Sequence, residues 1–209
     1  HSLGGHLATA FTRLFPAWTT RAVTFNGAGY PTGAIPGLSG TALDNIANVF
    51  SLLGGEPAFP SADITNLYGD KNIELVTMNS GYGLLQPGDH RPLFIEQDTL
   101  YANVFGHGMD QMTDSATVFD LLLRMDSGLG QMSAATVSAK FNGLLESASA
   151  SRSASLEALV NDLAGLFSTG SPIGEHQIDD RQALHLAVNA IKADPTYARL
   201  QGQLQIQPL

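Results

Sequence analysis

The stretch His1-Ser2-Leu3-Gly4-Gly5-His6-Leu7-Ala8 constrains this chain more than any other. It frames a serine between His1 and Leu3, follows it with two glycines, and runs directly into a helical pattern. That is the form of a sharp strand-to-helix turn, G-x-S-x-G, in which small neighbours allow the reversal and the serine hydroxyl is lifted above a sheet. His1-Ser2-Leu3-Gly4 supplies x-S-x-G, and Gly5 lets the ensuing helix lie close to the strands beside it. Such a turn needs a strand leading into it. The feeding strand and those before it are therefore expected upstream of His1, so that the 209 residues form the C-terminal portion of a larger protein.

Beyond this turn, helix and strand patterns alternate. Leu3, Leu7, Ala10, Phe11 and Leu14 recur at helical spacing until Pro16. Residues 21–26 read as a short buried strand stopped by Gly27-Ala28-Gly29-Tyr30-Pro31, and residues 31–40 hold too many breakers for regular structure. Thr41 then caps a second helix with Ile46, Val49, Phe50 and Leu53 on one face and Gly54-Gly55 at its end. Residues 62–68 read as a strand delivering Gly69-Asp70, residues 73–77 are apolar again, and residues 79–83 form a turn. Residues 86–96 read as a polar surface loop running into an edge strand at 93–95. Helices alternating with strands in this way predict an α/β fold with parallel strands and flanking helices over residues 1–126.

Three residues in this region carry a candidate chemistry. Ser2 stands at the turn, where the helix N-terminus directs its free amides and the positive end of its dipole. Asp70 follows a strand, the place where open α/β sheets set functional residues. His107 sits between Gly106 and Gly108, before a helix capped by Thr113 or Asp114 with Val118, Phe119, Leu122 and Met125 on one face. A serine hydroxyl becomes nucleophilic when an imidazole removes its proton, and a carboxylate holds that imidazole in one tautomer. The order Ser, Asp, His is that of α/β-hydrolases and differs from those of the chymotrypsin and subtilisin types. Asp98 is the best substitute for Asp70, whereas Asp63 precedes its strand and Asp89-His90 read as solvated loop residues. Calcium held by Asp89, Glu96 or Asp98 is conceivable from the oxygen-rich loop, although no known calcium-loop spacing is matched. The triad itself requires no metal or other cofactor.

Composition narrows the partners. A formal net charge of -9 argues against a phosphate backbone as ligand, so nucleic acid is not expected. With no cysteine, neither a disulfide framework nor a thiolate zinc site can form. No run of 18 or more apolar residues appears, so no transmembrane segment is expected.

Residues 127–209 read as a mainly helical extension. Residues 133–145 form a modest helix, residues 147–155 are a low-complexity serine and alanine run, and Leu156, Leu159, Val160, Leu163, Leu166 and Phe167 make an amphipathic helix. Asp179 with Gln182 resembles a capping box ahead of Leu184, Ala187, Val188 and Ile191, so two helices are expected to pack as a hairpin. Its favoured role is scaffold, with a lid or lipid-contacting element as the alternative. Residues 204–207 alternate and are a candidate closing strand.

The opening stretch, together with Ala22-Val23-Thr24-Phe25-Asn26-Gly27-Ala28-Gly29, resembles the serine elbow and following strand of bacterial lipases related to the class 3 type. Residues 64–76 and His107-Gly108-Met109-Asp110-Gln111-Met112-Thr113-Asp114 are similar to the acid and histidine regions of lipase-like domains in large bacterial secreted proteins. The resemblance covers about residues 1–125 and implies the C-terminal part of an α/β-hydrolase sheet. It also implies carboxylester hydrolysis on lipid or acylglycerol substrates, with Ser2 as nucleophile, His107 as base and then acid, and Asp70 as orienter. The Leu3 amide would be one oxyanion donor, while the second would come from an upstream loop. A companion segment N-terminal to these residues is thus an expected partner, and a secreted or cell-surface bacterial location is implied. The alternative is a non-catalytic α/β-hydrolase-like interaction module in a large secreted or surface protein.

Overall fold

A computed structural model describes residues 1–34, 37–69, 83–95, 109–148, 155–170, 172–174 and 181–207. The chain divides into two compact units, residues 1–92 with 103–109, and residues 93–102 with 110–209. The class is mixed α/β with parallel strand pairing, flanking helices and several C-terminal helices.

The first unit begins with helix α1 (Ser2–Leu14), followed by a 3-10 turn at Pro16–Trp18. Strands β1 (Ala22–Phe25), β3 (Ile64–Gly69) and β5 (Asp89–Leu93) form one sheet in the order β1-β3-β5. β1 and β3 run parallel, with Ala22 opposite Ile64 and Phe25 opposite Leu67. A smaller antiparallel pair joins β2 (Tyr30–Pro31) to β4 (Leu84–Leu85). The glycine-rich loop is therefore less irregular than its breakers suggest, since Ala34 and Thr41 also bridge. Helix α2 (Ala42–Leu52) carries the anticipated cap in reciprocal form: Thr41 Oγ1 accepts from the Asp44 amide at 3.1 Å, and Asp44 Oδ2 accepts from the Thr41 amide at 2.8 Å. Gly54, at φ 79, lies just past its end.

One expectation for this unit is corrected, the position of its third strand, and its two helices bury little of their apolar residues. The apolar residues of α1 do not face inward: its buried residues are Gly5, Thr9, Thr12 and Arg13, while Leu3, Leu7 and Phe11 are exposed. Close approach explains this, because the helix meets β1 through Gly5, and Thr9 Oγ1 lies 2.9 Å from the buried Tyr30 hydroxyl. On α2 only Ala42 and Phe50 are buried, and Val49 and Leu53 stand in solvent. The third strand is Asp89–Leu93 and not 93–95, so Asp89 and His90 belong to the sheet. Phe94 and Ile95 lie beyond it and are buried outside any strand.

The second unit is helical. It comprises α3 (Met109–Met125), α4 (Ala134–Ala148), α5 (Leu156–Phe167), α6 (Arg181–Ala193) and the short α7 (Pro195–Leu200). Its core gathers Val118, Leu121, Leu122 and Met125 from α3, Phe141 and Leu145 from α4, and Leu159, Val160 and Leu163 from α5. Leu184, Val188 and Ile191 of α6 and Tyr197 complete it. α5 packs on α6 as the two amphipathic patterns anticipate, and α4 also packs on α5. Ser155 caps α5 by accepting from the Ala158 amide. Asp179 and most of the serine-rich run lie outside the described residues.

Thr113 and Asp114 do not cap α3, which begins at Met109 and places both inside it. Asp114 is instead buried, accepting from Arg181 Nη1 and lying 2.8 Å from His185 Nε2, so that α6 is pinned to α3 by a partly buried ion pair. Burial pushes the Asp114 carboxyl up, while Arg181 and His185 pull it down. Residues 204–207 form no strand. Leu204 and Ile206 pack against the helical core, and Asp126 Oδ2 accepts from the Ile206 amide at 2.9 Å.

Candidate active site

Ser2 opens α1 in a left-handed backbone conformation, φ 49, that a non-glycine residue seldom adopts. Its neighbours hold it there. The Ser2 amide donates to the Asn26 carbonyl at 2.9 Å, and its carbonyl accepts from the Ala28 amide at 3.0 Å, a parallel bridge centred on Gly27. The chain thus passes Ser2 alongside the end of β1 and in the same direction. It then turns at once into a helix. Strain of this kind persists where surrounding contacts overdetermine the backbone, and it clusters at functional sites.

Two glycines make the close packing possible. A Cβ on Gly5 would stand 2.6 Å from the Gly27 Cα and 3.3 Å from the Thr24 Cβ, so helix and strand touch backbone to backbone. Gly4 has open space around it. Of the two glycines after Leu3, only Gly5 is dictated by its contacts.

Beneath the turn lies a buried polar network that the motif does not announce. Asn66, in the middle of β3, accepts at Oδ1 from Thr24 Oγ1 at 2.7 Å and from the Gly27 amide at 3.2 Å. Its Nδ2 donates to Gln86 Oε1 at 3.4 Å and to His90 Nδ1 at 3.2 Å. Gln86 Nε2 in turn donates to the Gly27 carbonyl at 2.9 Å. Both polar groups of Gly27 are therefore held by side chains, which fixes the surface against which Ser2 and Gly5 rest. Asn26, itself at φ 44, accepts at Oδ1 from the Gly69 amide at 2.9 Å, and its own amide donates to Leu67. Ser2, Gly27 and Gly69 are thereby gathered at the carboxyl ends of β1 and β3, the edge where open α/β sheets bind ligands.

Two histidines in this unit have structural partners. His6 Nδ1 donates to the Ala28 carbonyl at 3.3 Å, and its ring stacks on Tyr30 with centroids 4.1 Å apart. Burial pushes the Tyr30 hydroxyl up to about 12, so it serves as a neutral hydrogen-bonding group. His90 stacks on Tyr68 at 3.9 Å with rings 8° from parallel. Its Nδ1 faces an amide donor, so the ring proton sits on Nε2, and burial pulls its pKa down to about 4 despite nearby Asp89. Reading Asp89-His90 as solvated loop residues is therefore corrected for His90, which is a neutral, half-buried member of the network.

Among the described residues the Ser2 hydroxyl has no hydrogen-bond partner. Asp70, its substitute Asp98, and His107 lie outside the described residues, as does Glu96. Gly69, the residue before Asp70, is the last that the structure describes on that strand. The Leu3 amide lies in the first turn of α1, where backbone N–H groups have no partner within the helix. Among the described residues no cluster of three or more histidine, aspartate or glutamate side chains could hold a metal ion. No described helix is long and apolar enough to cross a membrane.

Sequence reasoning missed Asn26, Asn66, Gln86 and His90 as supports of the turn. One signal was available, an asparagine flanked by Ile64 and Leu67 in a strand read as buried, where a polar side chain has to find partners. No family model matches the chain, and it matches no curated protein and no solved structure.

Proposed function

We propose that the first unit is the C-terminal part of an α/β-hydrolase and that the protein is a serine carboxylester hydrolase acting on lipid or acylglycerol esters. The observation that carries this reading is Ser2 itself, a strained residue that opens α1, bridged to Gly27 just past the end of β1, in a helix packed there through Gly5. In this reading His107 takes the Ser2 proton, Ser2 Oγ attacks the ester carbonyl, and His107 returns the proton to the departing alcohol. Asp70 holds the imidazole in the required tautomer. The Leu3 amide donates to the developing oxyanion, and the positive end of the α1 dipole favours the same charge. Water then releases the acid from Ser2.

A companion segment contributing a strand is part of the proposal. Leu3, Leu7, Phe11, Phe15 and Trp18 are exposed apolar residues along α1 and its continuation, and Val23 of β1 is exposed as well. Solvated apolar surface of this extent marks an interface. The parallel bridge at Ser2 sets the direction in which a strand would run along β1.

Hydrolysis of p-nitrophenyl esters, with and without a co-expressed N-terminal companion, tests the activity. The expected result is turnover that is lost in Ser2→Ala, with short against long acyl chains reporting the substrate class. Turnover that survives Ser2→Ala contradicts the assignment.

A further inference from the structure

The first unit contains a cavity of about 470 Å³ that the ester-hydrolase reading does not use, in the size range of small-molecule sites. Arg13 lines it. This arginine is only 3 % exposed, yet among the described residues it has no carboxylate partner. Its Nε donates to the Glu56 carbonyl at 2.8 Å and its Nη2 to the Pro57 carbonyl at 2.7 Å. The guanidinium also lies 4.8 Å from the ring centroids of both Phe50 and Phe59. Nη1 has no acceptor among the described residues.

Two carbonyls and two ring faces hold the group in place but carry no full negative charge. A buried arginine is ordinarily paired, because removing a cation from water without a counter-charge is costly. Burial works against the Arg13 charge and lowers its pKa. The other charged residue on the cavity wall is Asp44, whose Oδ2 is occupied by the Thr41 amide and hydroxyl at the solvent-exposed start of α2. The rest of the wall is mixed, with Leu43, Ala47, Pro57, Phe59 and Leu85 on its apolar part and Ser61 and Gln86 on its polar part.

We propose that this cavity binds a small monocarboxylate with a hydrocarbon body, its carboxylate paired with the Arg13 guanidinium and its chain lying against Leu43, Ala47, Phe59 and Leu85. The planar fork of arginine matches a carboxylate, and the apolar part of the wall favours an organic acid over an inorganic anion. The inference stands apart from catalysis at Ser2, which does not line the cavity.

Isothermal titration of the full chain with sodium n-octanoate tests it, with 1-octanol and inorganic phosphate as comparison ligands. Octanoate is expected to bind saturably at one site and more tightly than either comparison ligand. Replacing Arg13 by Met is expected to weaken octanoate by about tenfold or more, the worth of one charge-assisted contact. Because Arg13 also anchors residues 56–57, Ala47→Trp serves as the second variant: it fills the cavity from α2 and abolishes octanoate binding while the circular dichroism spectrum is retained. Ser2→Ala leaves octanoate binding unchanged. No saturable binding, equal binding of octanol or phosphate, or octanoate binding that survives Ala47→Trp would overturn the proposal.

Discussion

Ser2 and the residues touching its turn make the sharpest predictions. Gly5→Ala places a methyl carbon 2.6 Å from the Gly27 Cα, where backbone on both sides leaves nothing to yield. It is expected to destabilise by about 1–3 kcal/mol, the usual cost of overpacking a close contact. Gly4→Ala, with nothing within 4 Å, is expected to be neutral or to stabilise by up to about 1 kcal/mol through helix propensity. Thermal melts of the two variants should therefore move apart, and a matching loss in both contradicts the packing described. His90 gives a pH test. Its pKa falls from 6.5 to about 4 in the folded protein, so between those values the unfolded chain binds a proton that the folded chain does not. Stability from this source is full above about pH 6.5 and declines as the pH falls toward 4. Urea midpoints across that window should drop less in His90→Phe than in the parent, and equal slopes would refute the neutral, buried histidine.

At the scale of elements, the sheet edge is held by side chains as much as by strand pairing. Asn66→Leu removes the acceptor for the Gly27 amide and Thr24 Oγ1 and the donor to Gln86 and His90. The expected cost is about 2–4 kcal/mol, since more than one buried polar group loses its partner. Hydrogen exchange should show the loss first at Gly27 and its neighbours. The sequence made much of this level readable. Helix periodicity located α1, α5 and α6, Thr41 announced its own cap, and the stretch of residues 62–68 before Gly69 marked β3. Direction of facing was less readable. α1 presents Leu3, Leu7 and Phe11 outward because its inward contacts are made by Gly5 against Thr24 and Gly27 and by Thr9 against Tyr30, and small or polar residues at a close approach leave no hydrophobic signature. β5 escaped notice because Asp89, Arg91 and Pro92 read as loop residues, although an edge strand tolerates both charge and proline. The helix opening at Ser2 was legible because Ser2, Gly5 and the apolar repeat that follows are close in sequence, whereas the Asn66 network joins residues 20 or more positions apart and has no local pattern.

For the whole molecule, each unit has its own internal tie. In the helical unit Asp114, Arg181 and His185 join α3 to α6, and Asp126 secures the C-terminal residues. Asp114→Ala leaves Arg181 without this partner and is expected to destabilise the helical unit by about 3 kcal/mol. Limited proteolysis should then cut within α6 sooner, while fragments of the first unit keep their protection. Faster cleavage throughout the first unit as well would argue against that separation. The proposed activity rests on Ser2 as an activated nucleophile. Its most direct test is labelling with a fluorophosphonate probe, in the presence and absence of an N-terminal companion segment, followed by peptide mass spectrometry. A covalent adduct is expected on Ser2, one that disappears in Ser2→Ala and weakens strongly in His107→Ala. An unlabelled Ser2 even with the companion supplied would contradict that role, and would leave the strained turn as the framework of a non-catalytic interaction module.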